Sequence, residues 1–92
     1  MAIYLLFGKY TPEALKGISG KRTEEARALI KKHGGELKTA YATLGGVDLM
    51  MAVDLPDNKQ AMAVSIALAK ATGIGFSTHA AVPIDEFDKL AG

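Results

Sequence analysis

Apolar residues dominate the start of the chain, and they occupy both alternating sets of positions over Ala2–Tyr10. The two sets contain Ile3, Leu5 and Phe7 on one side and Tyr4, Leu6 and Tyr10 on the other. A strand that is apolar at nearly every position is typical of a sheet covered on both faces, whereas a strand with one face in water alternates apolar and polar residues. The pattern predicts a central strand.

A helix is predicted to begin at Thr11-Pro12. The threonine side chain can accept a backbone N–H at a helix start. Proline has no backbone N–H, but the N–H at the first helical position has no partner within the helix, so nothing is lost there. Apolar residues then recur at helical spacing, but the stretch GISGK contains two glycines, which lower helix propensity. We therefore expect a bend or break near Ser19-Gly20. Gly34 suits the left-handed capping conformation, which predicts that the helix ends at about His33.

Two strands are predicted to follow, over Glu36–Leu44 and Val47–Leu55, with Gly45-Gly46 between them. A pair of glycines between two such runs is typical of a two-residue hairpin turn. We therefore expect these two strands to be antiparallel neighbours.

A second long helix is predicted over Asp57–Gly73, because its first residue suits a helix start and its last suits a helix end. Its middle, Ala61–Ala69, is small and apolar nearly all round, which favours a helix buried between the sheet and a neighbouring subunit. A fourth strand over Ile74–Ile84 and a short helical tail over Asp85–Leu90 complete the pattern.

The order β-α-β-β-α-β predicts an α+β fold of the ferredoxin-like type, with residues 1–92 as one domain. In this fold a four-stranded antiparallel sheet of order 4-1-3-2 carries both helices on one face, and here a short C-terminal helix is added. The other face would be bare in a single chain. Because the central strands are apolar at both parities, as in Met50 beside Met51, we expect a homo-oligomer in which a second subunit covers that face.

Composition and charge narrow the expected partners. The 92 residues carry 11 basic and 10 acidic side chains, and a net charge of +1 provides no strong field for nucleic acid or a membrane surface. Cysteine is absent, which excludes disulfides, thiolate metal sites and a cysteine nucleophile and is compatible with the cytoplasm. The apolar start lacks the basic segment of a signal peptide and the roughly 20 residues of a membrane helix. We expect a cytoplasmic protein that partners with itself and needs no cofactor.

Three stretches of the chain resemble the GYD-domain family, a group of small bacterial and archaeal proteins in the dimeric α/β-barrel group. They are YLLFGKYTPEALKGI at the start, HGGELKTAYATLGGVDLMMAVDLPD in the centre and STHAAVPIDEFDKL at the end. The family is named for a Gly-Tyr-Asp hairpin, of which this chain keeps Gly46 and Asp48 but has Val47 in place of the tyrosine. The resemblance implies a ferredoxin-like fold and homo-oligomers but no established reaction, and a role that depends on the tyrosine hydroxyl does not carry over.

Two side chains are candidates for catalysis. Asp48 is a carboxylate that would act as a base or bind a cation at the mouth of a barrel. The alternative, which we favour, is that it accepts backbone N–H groups of the hairpin after Gly45-Gly46, as aspartate commonly does in turns. His79 lies on a predicted strand at the parity of Ser77 and Ala81, and imidazole exchanges protons near neutral pH. A structural or interface role for His79 is the alternative that we favour. About two strand spacings of roughly 4.8 Å separate the two residues, so we do not expect them to pair within one chain.

Aromatic residues and a methionine provide a candidate ligand site. Tyr4, Tyr10 and Tyr41 could line an apolar pocket with Met50, because ligand pockets are mostly apolar with a few polar groups that fix orientation. The expected ligand is a small apolar or aromatic compound. Plain packing of the tyrosines is the alternative.

The stretch GISGKRT, residues 17–23, fails as a phosphate loop, because Leu15 and Arg22 stand where a Walker A motif requires glycine and serine or threonine. A Gly-x-x-Gly clamp for RNA is a closer match, but the low net charge and the missing stacking aromatics favour a solvated helix face. Metal binding has little support, because the two histidines are far apart and the carboxylates are scattered.

Two functional hypotheses of different classes follow. The first is a homo-oligomer with a small-ligand-binding or structural role. The second is a cofactor-free isomerase or oxygenase that acts on a small apolar or aromatic compound in a barrel pocket, by analogy with the wider barrel group. In the second hypothesis His79 is the acid/base, and Asp48 or Tyr41 orients the substrate.

Overall fold

The computed structural model describes all residues from 1 to 92, which form four strands and four helices. In chain order the elements are β1 (Ala2–Lys9), α1 (Pro12–Lys16), α2 (Gly20–Lys32), β2 (Glu36–Ala42), β3 (Leu49–Leu55), α3 (Asn58–Thr72), β4 (Gly75–Ala81) and α4 (Ile84–Ala91). This order confirms the predicted β-α-β-β-α-β arrangement with a short C-terminal helix. None of the four helices combines the length and the apolar composition that crossing a membrane requires.

The four strands form one antiparallel sheet in the order β2-β3-β1-β4, which is the predicted order. The central strand β1 pairs with β3 on one side, where Leu5 faces Ala52, and with β4 on the other, where Leu5 faces His79. β2 pairs with β3 and has an irregularity between Leu37 and Thr39. Because side chains alternate along each strand, this register fixes which residues share a face.

The helical segment after β1 is broken where the sequence predicts it. Thr11 Oγ1 accepts the backbone N–H of Ala14 at 3.0 Å at the start of α1, and Gly17 ends that helix. Ser19 Oγ accepts the backbone N–H of Arg22 at 3.2 Å and begins α2. Because each helix start has a side chain that satisfies one of its unpaired backbone donors, two shorter helices replace one long one.

The predicted two-residue turn at Gly45-Gly46 is wrong, since residues 43–48 connect β2 to β3. Thr43 accounts for the wider loop. Its Oγ1 donates to the backbone oxygen of Val47 at 2.7 Å, and its backbone N–H donates to the backbone oxygen of Asp48 at 2.9 Å. These bonds close the loop outside the glycines, so the glycines lie at the tip of a longer connection.

The helices cover one face of the sheet and bury its side chains. α2 packs on β2, and α3 packs on β3 and β4. The core on this side is continuous and consists of Tyr4, Leu6, Ile30, Leu37, Met51, Val53, Leu55, Ala61, Val64 and Leu68. Each large apolar side chain that is fully buried stabilises the fold by about 1.5–3 kcal/mol. This side of the sheet is therefore complete within one chain.

The last two helices differ in how they are held. α3 begins at Asp57, whose Oδ1 accepts the backbone N–H of Gln60 at 2.9 Å, and ends at Gly73, whose φ of 74° is left-handed, as predicted. α4 follows β4 after Val82 and Pro83, and every one of its residues is exposed. α4 therefore contributes nothing to the core.

Candidate functional site

The face of the sheet opposite the helices is apolar in its centre. Ile3, Leu5 and Phe7 of β1 point to this side and are half-buried, whereas Tyr4 and Leu6 between them point to the helices and are buried. We call this surface the open face. Its residues are Ile3, Leu5, Phe7, Thr39, Tyr41, Met50, Ala52, Asp54, Ser77, His79 and Ala81.

Strand pairing places two of the predicted ligand residues side by side on the open face. Tyr41 on β2 faces Met50 on β3. Met50 in turn faces Phe7 on β1, and Phe7 faces Ser77 on β4. The four residues form a row across the whole sheet, in which adjacent strands are about 4.8 Å apart. At one end of the row Tyr41 is 58% exposed, so its ring is accessible from solvent.

His79 lies beside this row on the open face. Its Nε2 lies 2.9 Å from Ser77 Oγ, and its ring meets the ring of Phe7 edge to face with the two centroids 5.4 Å apart. The imidazole is exposed, and no hydrogen bond from the chain reaches its Nδ1. The hydrogen bond and the aromatic contact orient the ring, while the second nitrogen stays accessible to a ligand or a partner.

Asp48 is held by the end of β1. Its Oδ2 accepts the backbone N–H of Tyr10 at 2.9 Å, and its own N–H donates to the backbone oxygen of Gly8 at 2.9 Å. The structure confirms that Asp48 accepts a backbone N–H, as we favoured. The predicted donor is wrong, because the N–H belongs to Tyr10 and not to the hairpin. The reason is the register: Leu49 faces Gly8, so Asp48 continues the pairing of β3 with β1 instead of folding into the turn.

The structure does not bring His79 and Asp48 together. His79 faces Leu5 from β4, whereas Asp48 precedes β3 on the other side of β1, beyond the level of Gly8. Three or more residues along a strand correspond to about 10 Å or more. Two strand spacings across the sheet add to that distance, as the sequence predicts, so the two groups cannot act on each other within one chain.

Tyr4 and Tyr10 lie away from the open face, so the four predicted ligand residues do not form one pocket. Tyr4 is 4% exposed on the helix side, where its hydroxyl donates to Asn58 Oδ1 at 2.6 Å. Tyr10 follows β1, and the guanidinium carbon of Arg22 lies 5.9 Å from its ring centre. The alternation of β1 explains the separation of Tyr4, because it has the opposite parity to Phe7.

A groove runs between α3 and the edge strand β4 on the helix side. It has a volume of about 520 Å³, and Tyr4 is one of its lining residues. Met62 and Ile66 of α3 line it and are 66% and 55% exposed. Ser65 Oγ and Thr78 Oγ1 are hydrogen-bonded within it. The groove is mainly apolar, and neither of the predicted catalytic residues lines it.

The remaining candidate residues of the sequence make structural contacts. Nη1 of Arg22, in the GISGKRT stretch, donates to the backbone oxygen of Ala14 at 2.7 Å and so connects α2 to α1. His33 Nδ1 lies 3.0 Å from Gln60 Oε1 and connects the end of α2 to α3. No three histidine, aspartate or glutamate side chains converge in the way that a metal site requires. The open face is therefore the candidate site, because it places the accessible imidazole of His79 beside an apolar centre.

Leu5 and Phe7 belong to the candidate site although the sequence assigned them only to packing. One signal was available: Ser77 and His79 are two residues apart, which places both on one face of a strand. The other was the apolar odd-numbered set of β1. The register that brings Phe7 beside Ser77 cannot be predicted from the sequence of either strand alone, because it depends on how the two strands pair.

Comparison with known proteins agrees with the fold. The sequence profile of the GYD domain matches residues 4–91. Among solved structures, the crystal structure of the leucine response regulatory protein (LrpA) of Mycobacterium tuberculosis is similar, with a TM-score of 0.59 and 8% sequence identity. The similarity covers 89% of this chain and 51% of that chain, so this chain spans about half the length of that protein. At this identity the likeness shows the fold alone. A search of curated proteins found no match.

Proposed function

The chain belongs to the GYD-domain family, and on this basis we propose that it is a cytoplasmic homo-oligomer whose subunits pair through the open face and hold a small apolar or aromatic compound there without a cofactor. The observation that carries the proposal is the centre of the open face, where Leu5, Phe7 and Met50 have no covering layer. An antiparallel sheet with one face in water normally places polar residues on that face. The centre of this one is apolar on both faces.

Pairing of two open faces removes this apolar surface from water. Stacked sheets pack about 10 Å apart, with the side chains of both inner faces interdigitating. Burial of apolar surface lowers the free energy of the assembled state by about 25 cal/mol for each Å² removed from water. Polar groups stand at the margin, where Lys38 Nζ lies 3.9 Å from Asp54 Oδ2. An apolar centre with a polar rim is the usual composition of a protein interface.

The row from Tyr41 to Ser77 supplies the ligand contacts. Met50 and Phe7 in the middle provide apolar surface, and the hydroxyl of Tyr41 and the imidazole of His79 provide polar groups on either side. Small-molecule sites combine a mainly apolar lining with a few polar groups that fix orientation. An aromatic ligand would contact the Phe7 ring in the edge-to-face or offset-stacked geometry that aromatic pairs prefer, and the ring of His79 already meets Phe7 edge to face.

Native mass spectrometry of freshly purified protein tests ligand binding. We expect the assembled species to retain a small apolar molecule that organic solvent extracts. Phe7→Ala should lose this molecule, because it removes the central ring of the row. Met62→Ala is the matched control, since it truncates an exposed apolar side chain on the opposite side of the sheet.

Two results would contradict the ligand proposal. A molecule that survives Phe7→Ala and is lost in Met62→Ala would lie in the groove between α3 and β4. If the assembled protein retains no small molecule in any preparation, the open faces pair without a ligand and the ligand part of the proposal is wrong.

A second function, a cofactor-free isomerase or oxygenase acting on the same class of compound, is supported by the position of His79. Its imidazole is accessible on the open face and is oriented by Ser77 and Phe7. Such a group can remove a proton from a bound compound and return it to another atom. Tyr41 lies on the same face and suits the orienting role, whereas the carboxylate of Asp48 accepts a backbone N–H at the end of β1.

The compound extracted from the protein is the substrate to assay. We expect His79→Ala to abolish turnover and His33→Ala, the matched control, to leave it unchanged, because His33 contacts Gln60 between two helices. Turnover by His79→Ala at the rate of the unmodified protein would contradict the acid/base role.

A further inference from the structure

The C-terminal helix α4 presents an apolar stripe that its own chain leaves uncovered. Ile84, Phe87 and Leu90 recur every three residues and therefore lie along one side of the helix. They are 68%, 54% and 80% exposed. A solitary helix of this length is marginal in water, because most helical stability in proteins comes from packing of an amphipathic face. α4 therefore needs a surface on which to pack.

α4 lies outside the groove of its own chain, because none of its residues lines the groove and all of them are exposed. Only Val82 and Pro83 separate the two elements, and Pro83 is extended, with φ −57° and ψ 147°. Proline fixes its own φ and restricts the residue before it to extended conformations. A helix that folded back over β4 would need a chain reversal within these two residues. The surface that covers α4 therefore belongs to another molecule.

The groove between α3 and β4 matches α4 in size and polarity. It has a volume of about 520 Å³ and a mainly apolar lining, with Met62 and Ile66 exposed at its rim. The apolar stripe from Ile84 to Leu90 is about 9 Å long at a rise of 1.5 Å per residue. The two rim residues are one helical turn apart and form a ridge, so a side chain as large as Phe87 can pack beside this ridge in the groove.

Charge favours the same pairing. The charged residues of α4 are Asp85, Glu86, Asp88 and Lys89. On α3, Lys59 precedes Met62 by three positions and Lys70 follows Ile66 by four, so lysines bracket the exposed apolar stripe. An acidic helix thus meets a basic rim. The same excess of carboxylates disfavours an anionic membrane, which attracts amphipathic helices rich in lysine and arginine.

We infer that α4 of one copy docks into the groove between α3 and β4 of a second copy, with Phe87 as its central anchor. Every chain exposes both the helix and the groove, so exchange between copies covers both without a further component. The recognition is that of an amphipathic helix in an apolar groove. Because the groove is on the helix side of the sheet, this contact and the pairing of open faces use different surfaces and can be broken separately.

The absence of cysteine allows site-specific cross-linking between copies. Affinity-tagged Ile66→Cys, in the groove, is mixed with untagged Ala91→Cys, at the end of α4, and treated with a short bismaleimide. The matched control uses Ala28→Cys, on the exposed surface of α2, in place of Ile66→Cys. We expect at least tenfold more tagged-to-untagged product from the first mixture than from the control.

A double variant, Ile66→Cys/Ala91→Cys, tests whether the helix that occupies a groove comes from a second copy or from the same chain. Docking between copies predicts cross-linked pairs and larger species. Linkage within one chain, with no product in the mixture, would show that α4 folds back onto its own groove and would overturn the inference. Equal product from the Ala28→Cys control, or no product in any arrangement, would overturn it as well.

Two aspartate variants of α4 give a second readout. Phe87→Asp places a carboxylate in the apolar stripe and should reduce the cross-linked product at least tenfold. Lys89→Asp, on the polar side, makes α4 more acidic and should not reduce the product. Circular dichroism checks that both variants fold. Phe7→Asp on the open face should preserve the α4 cross-link, so failure of this inference and failure of the proposed function give different results.

Discussion

The two faces of the sheet are built from similar residues, yet the chain covers only one of them. On the helix side of β1, Tyr4 and Leu6 are 4% and 0% exposed, whereas Leu5 and Phe7 on the open face are only half-buried. The difference comes from the connections. β1 is parallel to β2 and β3 is parallel to β4, and right-handed crossovers between these pairs place α2 and α3 on the same side.

The comparison shows that the composition of a strand and the coverage of its two faces are separate properties. Apolar residues at both parities of β1 require two covering layers, and the handedness of the crossovers supplies only one. In the proposed function the second layer is the open face of a second copy, so an apolar face that the connections leave uncovered is the basis on which we propose assembly.

Truncation of one residue on each face sharpens the comparison most strongly. Leu6→Ala should lower the free energy of unfolding by about 2–5 kcal/mol at any protein concentration, because it opens a cavity in the core. Leu5→Ala should cost about 1–2 kcal/mol in the dilute single chain, because its side chain is only partly buried there. Urea denaturation at several protein concentrations measures both values.

At high concentration the prediction for the open face changes. Leu5→Ala should then lose the part of the stability that assembly adds, which rises with concentration in the unmodified protein. Equal and concentration-independent losses for Leu5→Ala and Leu6→Ala would show that the two faces are equally covered within one chain.

A smaller loss of stability is expected at the end of β1, where the side chain of Asp48, just before β3, contacts Tyr10, just after β1. Asp48→Ala removes the acceptor of the Tyr10 N–H and should lower the free energy of unfolding by about 1–2 kcal/mol. Asp48→Asn is the matched control, because its amide oxygen can still accept that bond. Equal losses for Asp48→Asn and Asp48→Ala in chemical denaturation would mean that this position requires the carboxylate charge and not the hydrogen-bond acceptor.

Loss of one polar contact on the helix side, between Tyr4 and Asn58, should lower the free energy of unfolding by a smaller amount still. Tyr4→Phe removes the hydroxyl that donates to Asn58 Oδ1 at 2.6 Å and should cost about 0.5–1.5 kcal/mol. Pairing through the open face should be unaffected, because Tyr4 does not reach that face. In the Phe87→Asp background, where α4 cannot contribute to association, a change in sedimentation caused by Tyr4→Phe would contradict the assignment of the two faces.

The smallest effect on stability is expected at His79. His79→Ala removes an exposed ring on the open face and should change the free energy of unfolding of the dilute chain by less than about 0.5 kcal/mol, as measured by denaturation. Loss of the retained ligand should accompany it. A large loss of stability in the dilute chain would instead assign His79 to the packing of the monomer.

The fold was predictable from the sequence where local signals agreed. Thr11, Ser19 and Asp57 are polar residues that accept backbone N–H groups at helix starts, and each begins a helix in the structure. The connection after β2 was not predictable from its two glycines. Its length depends on hydrogen bonds of Thr43 and Asp48, and the second of these extends the pairing with β1, a partner distant in sequence.

The site was predictable only in part. Because side chains alternate along a strand, the two-residue spacing of Ser77 and His79 predicts that both lie on the same face, and their contact confirms it. Parity could not relate the tyrosines to one another, because Tyr4 and Tyr41 lie on different strands and only the register decides which face each one shares. The uncovered state of α4 also depends on tertiary structure, since an amphipathic tail looks the same in sequence whether its own chain or a neighbour packs on it.

Sedimentation velocity tests the central claim most directly when α4 cannot contribute to association. In the Phe87→Asp background we predict that the protein at micromolar concentration has the mass of at least two chains. Addition of Phe7→Asp to that background should reduce it to a single chain of 9.7 kDa. A species of 9.7 kDa with Phe7 still in place, or a larger species that persists with Phe7→Asp, would contradict pairing through the open face.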